Sequence, residues 1–302
     1  MAVLSKGALF DPELVKDLVN KVKGKSSLAK LHGQEPIPFN GMKVFTFSMD
    51  SEIDVVAENG KKTHGGVSVA PIKITPIKVE YGARISDEFM IASEEEQINI
   101  LKAFNDGFAK KIAKGLDIMA MHGFNPRTSA ASAVIGTNHF DAAVTQKIDY
   151  AAATIDDIID SAIKLVEDAD GDVTAAILSP TVRSALAALK NSTNDRLYPS
   201  LAWGGNPGTL NGLPIDVNKT VSIGNVDQAL VGDFEGSFKW GYAKEIPMEI
   251  IEYGDPDASG NDLKAYNQVY LRSEAYLGWG ILDASAFARV TVPAVTPTPG
   301  QG

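Results

Sequence analysis

Between Gln97 and about His122, apolar residues recur every three or four positions: Ile98, Leu101, Phe104, Phe108, Ile112, Gly115 and Met119. That spacing lines side chains along one face of a helix. The opposite face is charged, with Lys102, Asp106, Lys110, Lys111, Lys114 and Asp117. At about 1.5 Å per residue the helix would be roughly 39 Å long, far beyond the usual dozen residues. A stripe of that length needs a long partner, so the rest of the chain is expected to lie along it. Ser93-Glu94-Glu95-Glu96 supplies a cap and first-turn acids, and Gly123 and Pro126 end the helix.

Ahead of this spine, residues 1–43 read as an extended arm with one short helix starting at Asp11-Pro12, its apolar face being Leu14, Val15, Leu18, Val19 and Val22. Val44–Phe47 opens a strand region. Ile53–Ala57 then leads into Glu58-Asn59-Gly60-Lys61, whose Asn-Gly is a hairpin signal. The return strand alternates from Val67 to Tyr81, with phase slips near Pro71 and Pro76 that suggest bulges or an uncovered edge. A two-stranded hairpin is marginal alone in water, so either the body of the chain or a neighbouring subunit is expected to cover it, and its length favours the neighbour. Ser86-Asp87-Glu88-Phe89 opens a short helix before the spine.

Beyond the spine, 124–149 reads as an irregular crossover. Thr154 and Asp157 predict a capping box for a helix carrying Ile155, Ile158, Ile159, Ala162, Leu165, Val166 and Ala169, stopped by Gly171. Ala175–Leu178 is a buried strand, and Ser179-Pro180 starts a helix with Val182, Ala185, Leu186 and Leu189 inward. Residues 191–209 form a long polar loop. Strands follow at Leu213–Val217, Gln228–Gly232, Ser237–Tyr242, Ile246–Tyr253, Tyr266–Gly278 and Ala286–Val292, ahead of a flexible Pro/Thr-rich tail, 293–302.

Composition narrows the function. With 302 residues and 44% hydrophobic content, the chain can bury a real core and two subdomains. No run approaches about 18 apolar residues, so no membrane partner is expected, and the N-terminus lacks the apolar core of a secretory signal. Cysteine is absent, excluding disulfides and thiolate metal sites. A net charge of −10 argues against general nucleic-acid wrapping, although Lys16 to Lys30 is locally basic.

Candidate chemistry is sparse. His32, His64, His122 and His139 share no ligand spacing, so no metal or cofactor is expected. Gly66-Val67-Ser68-Val69-Ala70 lacks the last glycine and the helix of a nucleophile elbow. Asp255, Asp257, Ser259 and Gly260 mimic the start of a calcium loop, as do Asp168, Asp170 and Asp172, but Tyr266 and Ser179 stand where a Glu is needed. Both read as polar turns. Gly204-Gly205-Asn206-Pro207-Gly208 has no following lysine and is no phosphate loop. The chain does not read as an enzyme.

Taken in order, these pieces resemble a family. Val55-Val56-Ala57-Glu58-Asn59-Gly60 with the alternating strand and Ile85-Ser86-Asp87-Glu88-Phe89, then Leu210-Asn211-Gly212-Leu213-Pro214-Ile215, then Leu271-Arg272-Ser273-Glu274, Gly278-Trp279-Gly280 and Asp283–Ala288, resemble the major capsid proteins of tailed double-stranded DNA bacteriophages. The resemblance implies an α+β, Hong-Kong-97-type capsid fold. Its parts would be an N-terminal arm (1–43), an extended β-hairpin loop (44–85), a peripheral domain with the spine helix (86–149 and 246–278), a mixed α/β axial domain (150–245 and 279–292) and the tail. It also implies a homo-oligomer of hexamers and pentamers forming the icosahedral virion shell, assembled in the host cytoplasm. The packaged double-stranded DNA would be enclosed without sequence-specific binding; an acidic shell leaves it free to slide. Expected partners are further copies, a portal, possible decoration proteins and a scaffolding protein, separate because no scaffolding segment fits ahead of the arm.

Intersubunit contacts are expected at Glu58, Asn59, Gly60, Lys61, Lys62, His64, Trp203 and Asn206. Some members crosslink a loop lysine to an asparagine with help from a glutamate, and Lys61 or Lys62, Asn267 and Glu274 are the matching candidates. Alternatives are an encapsulin-type nanocompartment shell, separable by its cargo-peptide groove; a metal-assisted hydrolase on the acidic loops, which lacks every expected ligand spacing; and a tail-tube protein, against which the spine helix argues.

Overall fold

The computed structural model describes residues 26–49, 51–90, 94–244 and 248–293. Helix α2 (Glu94–His122) is the predicted spine, one turn longer than its sequence pattern at the start and ended at Gly123 with φ +68°. Its cap at Ser93 and the arm helix after Asp11 lie outside the described residues. So does the tail from residue 294.

Two sheets flank the spine. In the first, β13 (Gln268–Ile281) is the axis. Strand β3 (Ile77–Ser86) runs antiparallel along one side of it. On the other side β12 (Met248–Ile251) and β11 (Phe238–Lys244) follow one another. β11, which falls within the 150–245 stretch expected to belong to the axial domain, therefore lies in the spine's sheet. Trp240 faces Trp279 across that pair, both buried, their indole N–H groups donating to the His32 and Asn138 carbonyls at 2.9 and 2.8 Å. Residues 35–37 run along the outer edge of β11, with Glu35 and Ile37 N–H on the Trp240 and Tyr242 carbonyls. Gly241 is required there, because any Cβ would collide with the Glu35 carbonyl.

The second sheet has six strands, ordered β6 (Lys147–Asp149), β14 (Phe287–Thr291), β10 (Asp227–Gly232), β7 (Ala175–Leu178), β9 (Leu213–Val217) and β8 (Thr209–Leu210). β7, β10 and β14 at its centre are buried along their whole length, whereas β6 and β8 at the edges are partly exposed. Ala176, Leu178, Ala229, Val231, Ala288 and Val290 face α4 (Ile155–Glu167) and α5 (Pro180–Ala188). Ala175, Ile177, Leu230 and Phe287 face the C-terminal half of α2. Four phenylalanines join the two sheets: Phe140 on α3 (Phe140–Ala143) stacks near Phe234, Phe238 and Phe287, with ring centroids 5.0–6.3 Å apart.

Helix α1 (Ser27–Leu31), additional to the one helix expected in the 1–43 arm, docks Leu28 into the core beside α2. The crossover 124–149 holds a short pair, β4 (Phe124–Asn125) with β5 (Ala130–Ala131), then α3 and β6. Local signals held unevenly. Ser179 caps α5 by accepting from the Val182 N–H at 3.1 Å. Thr154 makes no side-chain cap, because a 3-10 turn at Ala152–Thr154 takes its place. After α4 the left-handed residue is Asp170, φ 57°, not Gly171. The helix expected after Ser86 is a 3-10 turn, Asp87–Met90.

The largest difference lies in the hairpin. β1 (Met42–Met49) pairs with β2 (Val67–Ile74) in unbroken register, Met49 opposite Val67, and Pro71 sits in it without a bulge. Ile53–Ala57 is not a strand. The chain leaves the ladder at Met49, and Gly60 N–H closes a turn on the Ala57 carbonyl with Asn59 at φ 66°. The Asn-Gly turn forms, but it closes a loop rather than strands. The ribbon ends before Pro76, which has no N–H to continue it, and β3 joins the other sheet. No described helix is long and apolar enough to cross a membrane.

Candidate assembly surfaces

The ribbon stands on the first sheet by its base, where buried Ile74 fills the space above Gly278 and Gly280. Alternation places Phe45, Met49, Val67, Val69 and Pro71 on one face, and each is exposed. Beyond Met49, every described side chain from Ser51 to Val69 is exposed; Ile53 is 95% and Val55 93% open to solvent. Burying one such aliphatic side chain is worth about 1.5–3 kcal/mol, so a contiguous group of them is a surface built to be covered. Glu58, Asn59, Gly60, Lys61, Lys62 and His64 sit together on this loop and are exposed.

The second cluster is the loop after α5. A 3-10 turn at Pro199–Gly204 holds Trp203 at φ 56° with the ring 99% exposed. Left-handed backbone is costly for a bulky residue; here the Gly205 N–H closes on the Ala202 carbonyl at 3.0 Å and keeps the indole pointing outward. Asn206, grouped with Trp203 by sequence, turns inward and donates to Asp216 at 3.0 Å. Its side chain serves the subunit's own packing.

The crosslink candidates are not assembled within one subunit. Asn267, exposed and at φ 53°, precedes β13, and Glu274 lies seven residues along it, about 23 Å away at 3.3 Å per residue. Glu274 accepts an ion pair from Lys78 at 2.6 Å, with Arg272 at 3.6 Å. Glu274 of the same subunit is therefore too far along β13 to take a proton from the Asn267 amide.

Two buried polar clusters escaped the sequence reading. Asp117, placed by periodicity on the solvent face, is fully buried. It accepts from the Ser26 hydroxyl, the Ser27 and Leu28 N–H groups at 3.1 and 3.3 Å, Asn218 Nδ2 at 3.1 Å and Thr220 Oγ1 at 2.9 Å. Burial pushes its carboxyl up to about 6 even against these donors. Beside it, Asp216 binds Ser27 Oγ and Lys30 Nζ, each at 2.6 Å, and those two contacts with Asn206 hold its carboxyl below the usual range despite burial. Together the two aspartates pin α1 between spine and sheet.

The other cluster joins the end of α2 to the sheet. His122 contacts Asp141 through Nδ1 at 2.9 Å and the Thr220 carbonyl through Nε2 at 2.9 Å. Arg289 reaches Asp227 at 2.9 Å and Asp141 at 3.0 Å. Donor atoms of His122, Asp141 and Asp227 lie within 4.8 Å of one another, the one grouping among the described residues that could ligate a metal. Arg289 already supplies the cation, so the cluster is complete as an ion-paired strut. In the Gly254–Ala265 loop Arg84 does the same: its Nη2 meets Asp255, Asp257, Ser259 and the Asn261 carbonyl at 2.5–2.9 Å. The carboxylates that mimic a calcium loop are thus occupied by a guanidinium.

Comparison with known proteins accords with this geometry. The profile of the phage capsid family matches residues 6–292. Among solved structures, a chain of Mycobacterium phage Ogopogo is similar at 31% identity and TM-score 0.76, over 89% of this chain and 92% of that one. A chain of Gordonia phage Cozz gives 23% and 0.73, over 89% and 87%. One from the capsid of a native GTA particle gives 14% and 0.64, over 89% and 90%. No curated protein sequence matches. Its α+β architecture is a capsid fold of the Hong-Kong-97 type, and the chain belongs to the phage capsid family, a structural protein of the virion shell and not an enzyme.

Proposed function

We propose that this protein is the repeating subunit of an icosahedral phage head, tiling it as hexamers and pentamers around double-stranded DNA. The observation that carries the reading is the β1–β2 ribbon and its 51–66 loop, whose apolar face no described part of the chain covers. The nearest source of a cover in a shell of identical subunits is the neighbouring copy. Each such clamp is modest, but closed symmetry repeats it around the shell and multiplies the result. In this reading the 1–43 arm and the 44–85 loop reach across subunits, while Trp203 meets its equivalents near the capsomer centre. Assembly runs in the host cytoplasm with a separate scaffolding protein and a portal.

Deleting residues 59–66 tests this. The variant should fold, with an unchanged circular dichroism spectrum and thermal midpoint, because no buried side chain is removed. It should lose shells or capsomers by light scattering and negative-stain microscopy. Normal shells from the deleted chain would show that the loop is no intersubunit clamp. For the crosslink candidates Lys61, Lys62, Asn267 and Glu274, a single monomer band from mature heads on a denaturing gel would remove them.

A further inference from the structure

The exposed face of α2 is cationic in a chain of net charge −10. Lys102, Lys110, Lys111 and Lys114 are all exposed there. At about 100° per residue, Lys110 and Lys114 lie about 40° apart one turn from each other and Lys111 widens the strip, while Lys102, two turns earlier, lies about 80° round from Lys110 with Asp106 between them. Four lysines elsewhere, Lys30, Lys78, Lys164 and Lys239, each hold a carboxylate at 2.6–2.8 Å. Among the described residues, none forms an ion pair with any of the four on α2. A solvated helix face ordinarily interleaves both signs; here Asp106 is the sole acid between Lys102 and Lys114. Exposed Ala103 and Gly107 leave the strip low between its lysines, and a Cβ on Gly107 would meet nothing within 4 Å. A backbone can approach such a surface closely.

We propose that this lysine face of α2 docks the phosphate backbone of duplex DNA. The proposal rests on the capsid reading and adds to it which surface of the subunit meets the packaged nucleic acid. Lys110 to Lys114 spans about 6 Å along the helix, a length over which a duplex presents roughly three or four phosphates on its two strands. Contacts of this kind are sequence-independent and salt-labile. Three or four of them per subunit hold the outer layer of DNA in place without preventing its exit.

The test titrates purified subunits or capsomers with a fluorescent duplex of about 20 base pairs, from ~50 to ~200 mM salt. Three phosphate contacts give a slope of log K against log salt near −3 and roughly a forty-fold loss of affinity across that range. K110Q/K111Q/K114Q should lose at least about tenfold in affinity at ~50 mM salt, flatten the slope by about 2–3 and still build shells. The matching arginine triple variant should bind like the native chain. Equal duplex binding by native and glutamine variants, or none by either, would overturn the proposal while native shells leave the capsid reading standing. Loss of shells in the glutamine variant would assign the face to a protein contact, such as an acidic surface of another copy, and overturn it equally. Absence of shells from the native chain would instead strike the capsid reading itself.

Discussion

At the junction of α2 with the six-stranded sheet, four side chains share charge, buried His122, Asp227 and Arg289 with half-buried Asp141. Burial, reinforced by the hydrogen bond to Asp141, pushes the Asp227 carboxyl up to about 7. Burial also works against protonated His122, yet Asp141 outweighs it and raises the imidazole. Both groups therefore hold protons more firmly folded than unfolded. The Asp227 contribution to stability is full below about pH 4 and is lost as the pH rises through about 7, whereas that of His122 is full below 6.5 and is lost only as the pH rises past its raised value. Asp117, raised to about 6, adds to the same slope. Asp141 is lowered, so its contribution fails only at more acidic pH, outside that window. His32 and His139, both lowered by burial, work in the opposite direction within this window, so the check is differential: the thermal midpoint of D227N should fall less, or rise more, than that of the native chain between about pH 5 and pH 8. A D227N slope identical to native would contradict this assignment. None of this chemistry was readable from spacing. The residues come from four separate elements, and Asp117 looked solvated because a single helical stripe cannot reveal that α1 covers the other side.

At the scale of elements, the signals that succeeded were those enforced locally. The 3.6-residue stripe of α2, the Ser179 cap and the continuous apolar runs of β7 and β10 each specify their element without reference to a partner. Those that failed needed one. Ile53–Ala57 has strand composition, but β1 ends at Met49 and leaves it nothing to pair with. What locks the elements together is aromatic. Phe140 is fully buried and lies 5.0 Å from Phe287 and 5.6 Å from Phe238, ring to ring, at the seam of the two sheets. Phe140→Ala should cost about 3–5 kcal/mol in denaturant unfolding, since neither sheet can close over the space it leaves. A loss below about 1 kcal/mol would mean that the seam repacks freely.

For the whole molecule, the informative residues are those the fold does not use. Trp203 makes almost no contact with its own subunit, so Trp203→Ala should leave the unfolding midpoint within about 0.5 kcal/mol of native. If it anchors a contact between copies, the same change should weaken assembly by about 2 kcal/mol or more, seen as a raised critical concentration for shells. Unchanged assembly would return the indole to a solvent-facing tip. The candidate surfaces divide in the same way. Glu58, Asn59, Gly60, Lys61, Lys62, His64 and Trp203, expected from the sequence as contact residues, are all exposed. Asn206 and Glu274 look equally free in the sequence, but each is engaged inside the subunit.

Periodicity, turn residues and element order are local quantities. They determined the spine helix, most strands and, through their order, the resemblance to a capsid family. Tertiary structure alone decided that β11 joins the spine's sheet, that Asp117 is a buried clamp for α1, that Arg84 stands where a cation would, and that the α2 lysines stay exposed. Each of these depends on groups far apart in the chain. Burial and charge pairing are set by what packs against a residue, and a linear pattern records only what precedes and follows it.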